Sequence, residues 1–157
     1  MAQAGAYPRL RLTVAGVWTV SLWTVGIAAA TLSAVLTDRH QFGQIVSALF
    51  QHQGWIGLVC GLAMLALTAR DHSMDAKRRR SVLILTVLML ACVGVYFGLQ
   101  PFMASLRETA GQGGVMTSDV RKQFMLLHAG SMLAHVVQAI LGIVLVLKSL
   151  PHQAQSE

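Results

Sequence analysis

Four long apolar runs separated by short polar segments set the pattern of this chain. Residues 12–36 form a run of 25 residues without a charge, more than the roughly 20 that a helix needs to cross the hydrocarbon core of a bilayer. Further runs at 54–69, 81–100 and 124–147 predict three more spans. The first run greatly exceeds the apolar core of a signal peptide, about 7–15 residues, and other spans follow it, so it reads as a retained signal-anchor. Residues 38–53 are polar on average, yet Phe42, Ile45, Val46, Leu49 and Phe50 recur at i, i+3, i+4, i+7 and i+8, which is one face of a helix. That spacing predicts an amphipathic helix on the outer face between spans one and two, or else the opening turns of a longer second helix. Pro101 is expected to close the third span, because proline cannot continue the helical ladder unperturbed. Residues 102–123, with Gly111, Gly113 and Gly114, predict an irregular loop holding a short helix around Met103 to Thr109.

Composition agrees with the pattern. Of 157 residues, 55% are hydrophobic and 11% are charged, and a soluble domain carries about twice that charge. The polar segments are too short to build a separate water-soluble core. The expected fold is therefore an all-α, four-helix transmembrane bundle, a single membrane domain over residues 1–157. The net charge of +6 comes from basic residues beside apolar spans. They are expected to set orientation and meet anionic lipid rather than to bind nucleic acid. With the N-terminus inside, the cytoplasmic side collects Arg9, Arg11, Arg70, Lys77, Arg78, Arg79, Arg80 and Lys148, against Arg39, Arg107, Arg121 and Lys122 outside. This excess predicts both termini in the cytoplasm. The run Lys77, Arg78, Arg79 and Arg80 is read as a topology signal, with lipid headgroups as an alternative role.

Candidate chemistry concentrates in span four. Phe124, His128, Ser131, His135, Gln138, Gly142 and Leu145 alternate at spacings of four and three, which places them on one narrow stripe. A stripe of this kind faces neighbouring helices, so His128, Ser131, His135 and Gln138 are expected to point inward, away from lipid. One reading makes them packing groups bonded across helices to partners such as Thr13, Thr19, Ser21, Thr24, Thr31, Ser33 or Gln100. The other makes them an ion, proton or metal path, since histidine changes charge near neutral pH. A metal or haem site would need His52 or His40 opposite His128, because His128 and His135 lie about 10 Å apart along the axis. Cys60 with Met64, and Met89 with Cys92, place soft sulfur pairs on spans two and three, as a Cu(I) path would require. Gap-filling in the core is the commoner role for both residue types. Neither cysteine has a CxxC spacing. Gly57 with Gly61, and Gly94 with Gly98, form GxxxG pairs, and Gly26, Ala30 and Ala34 add a small-residue stripe. All are expected to let helices approach closely. No phosphate-binding glycine loop, dinucleotide fingerprint, HExxH or GxSxG occurs, so no catalytic set is expected.

Two stretches carry a family resemblance. One runs from Asp38-Arg39 through Phe42-Gly43 to Ala48-Leu49-Phe50 with Trp55 following. The other runs from Pro101 through Arg107 to Phe124, Leu127, His128 and Ser131, an F-x-x-L-H-x-x-S pattern. With these the chain resembles the family numbered 4149 among domains of unknown function, related to transmembrane protein 205. In that family an Asn often follows the Ser by four residues, where His135 stands here, while Gln138 matches. Relatives often place Pro near Thr31, so a kink there is not carried over. The resemblance implies a four-helix protein of the bacterial inner membrane without an agreed activity. The reading that follows is a noncatalytic multi-pass protein that needs no cofactor. Its polar stripe serves packing or the binding of a membrane-protein partner or a second copy. The alternatives are a small transport or metal-handling protein, copper-like or proton-coupled, with His52, His128, Cys60 and Cys92 as its candidate ligands, and a haem-binding accessory subunit.

Overall fold

The computed structural model describes residues 6–71, 74–109 and 117–150, with the side chain of Arg39 left aside. Within them the chain forms four helices: α1 (Ala6–Val35), α2 (Arg39–Arg70), α3 (Ala76–Thr109) and α4 (Ser118–Ser149). Each contains a window long and apolar enough to cross a membrane, and only 22–33% of the residues in each window are buried within the bundle. The rest of that apolar surface turns outward, Val20, Val59, Leu126 and Leu133 among it, each at least 65% exposed. In water so large an apolar exterior would aggregate, whereas in a bilayer it is solvated. The membrane reading is thus supported by the direction in which the side chains face.

The helices are longer than the sequence spans. At 1.5 Å per residue, helices of 30 to 34 residues extend roughly 45–51 Å, well beyond a hydrocarbon core of about 30 Å. The segment 38–53 forms no separate amphipathic helix. It is continuous with span two, as the opening half of α2. Asp38 starts that helix, its carboxylate accepting from the His40 N–H at 2.8 Å and the Gln41 N–H at 3.2 Å, which satisfies donors that the first turn would leave orphaned. Pro101 does not end α3 either; the helix runs through it to Thr109. Proline removes one ladder bond, and flanking helical residues can carry the chain past that gap. The expected short helix at Met103 to Thr109 is the continuation of α3, and α4 begins at Ser118, within the expected loop. Gly111, Gly113 and Gly114 lie outside the described residues.

Helix pairs in close backbone contact are α1 with α2, α2 with α3, α3 with α4, and α1 with α4, so the helices form a four-cornered ring, and across one diagonal α2 and α4 meet through the Phe50 and His135 rings. Arg11 at the start of α1 bonds Asp71 at the end of α2. Arg79 at the start of α3 bonds the Ala69 carbonyl, and Arg78 bonds carbonyls at the end of α4. The four helices therefore run alternately up and down, and α1 starts at the end of the bundle where α4 finishes. The core along the axis is Ala15, Trp18, Leu22, Cys60, Met64, Val82, Met89, Val93, Ala139 and Leu145.

Close approach is made by glycines on two helices. A Cβ on Gly57 would stand 3.0 Å from Val93 and 3.1 Å from the Trp18 indole nitrogen, and one on Gly61 would stand 2.4 Å from Leu90. One on Gly142 would stand 2.8 Å from Thr19 Oγ1. The GxxxG pair of α2 thus lies against neighbouring side chains. The pair on α3 faces outward: nothing lies within 4 Å of a Cβ on Gly94 or Gly98, and both are exposed. The two pairs are alike in sequence, and only the rotation of each helix decides which one meets a neighbour.

Candidate functional site

The polar stripe of α4 divides in two. Gln138 is buried, 6% exposed, and its amide donates to the Met89 carbonyl of α3 at 3.3 Å. His135 is half-buried near the middle of α4. Its ring meets Phe50 of α2 edge-on at 4.9 Å between centroids, and its Nε2 lies 3.4 Å from where a Cβ on Gly26 of α1 would stand. Gly26 therefore provides the room for this imidazole. Ser131 is partly buried, whereas His128 is exposed. The His128 ring lies parallel to Phe124 at 6.1 Å, and the Arg107 guanidinium sits 5.4 Å from the Phe124 centroid. The expectation that all four residues face inward is corrected at His128. The ring of helices leaves this position open near the start of α4, and its side chain stacks along its own helix instead.

Below Ser131 the seam borders a small cavity of about 20 Å³ between α2, α3 and α4, lined by Phe50, Gln53, Gly54, Cys92, Val93, Tyr96, Ser131, Ala134, His135 and Gln138. Gln53 is 4% exposed, and both polar atoms of its amide lack a partner. Tyr96 receives a bond from Gln100 at 2.5 Å and donates to the Ser47 carbonyl at 3.5 Å, which ties α3 to α2. The hydroxyls expected to bond across helices satisfy themselves locally. Thr13, Thr19, Ser21, Thr24, Thr31 and Ser33 each donate to a carbonyl three or four residues earlier in α1, the usual habit of Ser and Thr inside helices.

The candidate metal ligands are not brought together. His52 is exposed with Nδ1 2.8 Å from the Ala48 carbonyl, and His40 pairs with Gln44 at 3.0 Å. Cys60 is buried in the axial core, while Cys92 lines the cavity. Among the described residues no group of three or more His, Cys, Asp or Glu could hold a metal ion.

Sequence reasoning missed a second polar cluster. At the end where α1 starts, Arg11 is 1% exposed and forms an ion pair with Asp71, 2% exposed, at 2.5 Å. The guanidinium also reaches the Met74 sulfur at 2.6 Å. Counted only as a topology signal, Arg11 is in fact a buried tie between α1 and the end of α2. Nearby, Arg78 donates to the Lys148 carbonyl at 2.8 Å and to the Leu150 carbonyl, and Arg79 donates to the Ala69 carbonyl at 2.8 Å. These carbonyls belong to helix C-termini, which lack ladder partners and carry the negative end of the helix dipole. Half of the basic run thus fastens α3 to the ends of α2 and α4, leaving Lys77 and Arg80 exposed. The available signal was topological: in an antiparallel hairpin the start of one helix and the end of the next share a depth, so a cation and an acid there can pair.

No curated protein and no solved structure matches the chain. A family model does match, over residues 12–112. That match contains the first stretch of resemblance and stops short of the F-x-x-L-H-x-x-S pattern in α4. On this match the chain belongs to the family described as Domain of unknown function (DUF4149).

Proposed function

We propose that this chain is a noncatalytic integral protein of the bacterial inner membrane, with both termini in the cytoplasm, in which the polar seam of α4 is an internal fastening. The observation that carries this reading is the buried Gln138 amide bonded to the Met89 carbonyl of α3. A side chain committed to a backbone carbonyl of the neighbouring helix is holding two helices together. Such bonds are worth about 0.6 kcal/mol each in a membrane. The orientation is supported by basic residues: Arg9, Arg70, Lys77, Arg80 and Lys148 are exposed at the end where α1 starts, and an excess of cations marks the cytoplasmic side. The bilayer is the partner of the outward faces.

The test compares Gln138→Leu with His128→Ala in protein purified in mild detergent, following unfolding, metal content and the visible spectrum. The expected result is a small loss of stability for Gln138→Leu, none for His128→Ala, and no stoichiometric metal or haem band in either. A metal or absorption band that disappears in His128→Ala while the fold persists would overturn the reading in favour of a ligand site.

A further inference from the structure

We propose that the cavity between α2, α3 and α4 binds one resident water molecule, held by the Gln53 amide, and that this water closes the gap between α2 and the α4 seam. The inference rests on the reading of that seam as an internal fastening, and adds a ligand to it. Three observations converge. First, Gln53 is 4% exposed and both its oxygen and its nitrogen lack a protein partner. Within a membrane an amide without partners costs several kcal/mol, since no solvent reaches it. Second, the cavity that Gln53 lines has a volume of about 20 Å³, above the roughly 10–15 Å³ that a cavity needs to admit one water and too small for a metabolite. Third, Ser131, His135, Gln138 and Tyr96 line the same cavity. A buried water makes two to four hydrogen bonds, and these side chains supply both donors and acceptors.

The chemistry of the wall selects this ligand. A ligand must both accept from the Gln53 nitrogen and donate to its oxygen, which water does and an apolar molecule cannot. No carboxylate lines the cavity, so a small cation would find no countercharge there. The direct seam bond from Gln138 goes to α3, whereas Gln53 belongs to α2. Across that diagonal the two helices meet through the Phe50 and His135 rings, and the water adds a polar link beside them.

The experiment is proton NMR of the full-length, perdeuterated chain in lipid nanodiscs, with the glutamine side-chain amides protonated. The expected result is a cross-peak from the Gln53 amide protons to water, with the sign of a long-lived bound molecule. It should be lost in Ala134→Val, which adds two methyl groups to the cavity wall and leaves Gln53 in place. A resolved Gln53 amide with cross-peaks to protein protons only would overturn the proposal, as would a cross-peak unchanged in a folded Ala134→Val. If Gln138→Leu still lowers stability when the water signal is absent, the seam reading survives and the water fails. With a persistent water signal and a neutral Gln138→Leu, the water stands and the seam reading fails.

Discussion

Arg11 shows how far the meaning of one residue depends on its partner. In the sequence it is one of several cations flanking an apolar run; in the bundle it is almost fully enclosed, paired with Asp71 sixty residues away. Removing one member of such a pair leaves the other charge buried and uncompensated, which costs about 3–5 kcal/mol, whereas replacing both with apolar groups is often close to neutral. Asp71→Leu is accordingly expected to lower stability by about that amount, and Arg11→Met with Asp71→Leu by much less. Equilibrium unfolding in mixed detergent micelles would measure both, and equal losses for the single and the double variant would show that the pair is not the source. The seam residues were legible in kind, since the spacing of Ser131, His135 and Gln138 put them on one face. The exposure of His128 was not, because spacing defines a stripe but not how far along it the neighbouring helices cover it.

The helices themselves were readable as elements, and their lengths were not. Hydropathy reports only the part of a helix that lipid requires to be apolar, so the polar opening half of α2 and the end of α3 beyond Pro101 were assigned to other structure. Hydrogen bonding continues through them because the first turns of α2 are capped by Asp38 and flanking residues sustain α3 past its proline. The glycine pairs make the same point about faces. Gly57→Ala is expected to cost about 1–3 kcal/mol, since the new methyl meets the rigid Trp18 ring and Val93 at 3.0–3.1 Å. Gly98→Ala meets nothing, and its gain in helix propensity, up to about 1 kcal/mol, should leave the chain unchanged or slightly more stable. Thermal unfolding of the two variants side by side would check this. A destabilised Gly98→Ala would mean that α3 has a close neighbour beyond this chain.

At the scale of the molecule, the alternating helix directions put Arg9, Arg70, Lys77, Arg80 and Lys148 at one end and Thr117 at the other. With Cys60 and Cys92 replaced by Ser, a cysteine at Lys77 is expected to be protected from an impermeant thiol reagent added outside intact cells. One at Thr117 should be labelled. The opposite pattern would invert the proposed orientation. What the sequence determined by itself is the class of the protein: long uncharged runs leave a backbone no option in lipid but the helix, and their number is the number of spans. The placement of cations at the span ends followed from the same reading, because charge cannot enter the hydrocarbon alone. Tertiary structure decided the rest: which GxxxG pair is buried, that Arg11 meets Asp71, that Arg78 and Arg79 cap neighbouring helices, and that Gln53 lines a small cavity beside the α4 seam. Each depends on how a helix is rotated about its axis. In a chain apolar all round, lipid accepts every face equally, so that rotation is set only when small residues and polar groups on separate helices find one another.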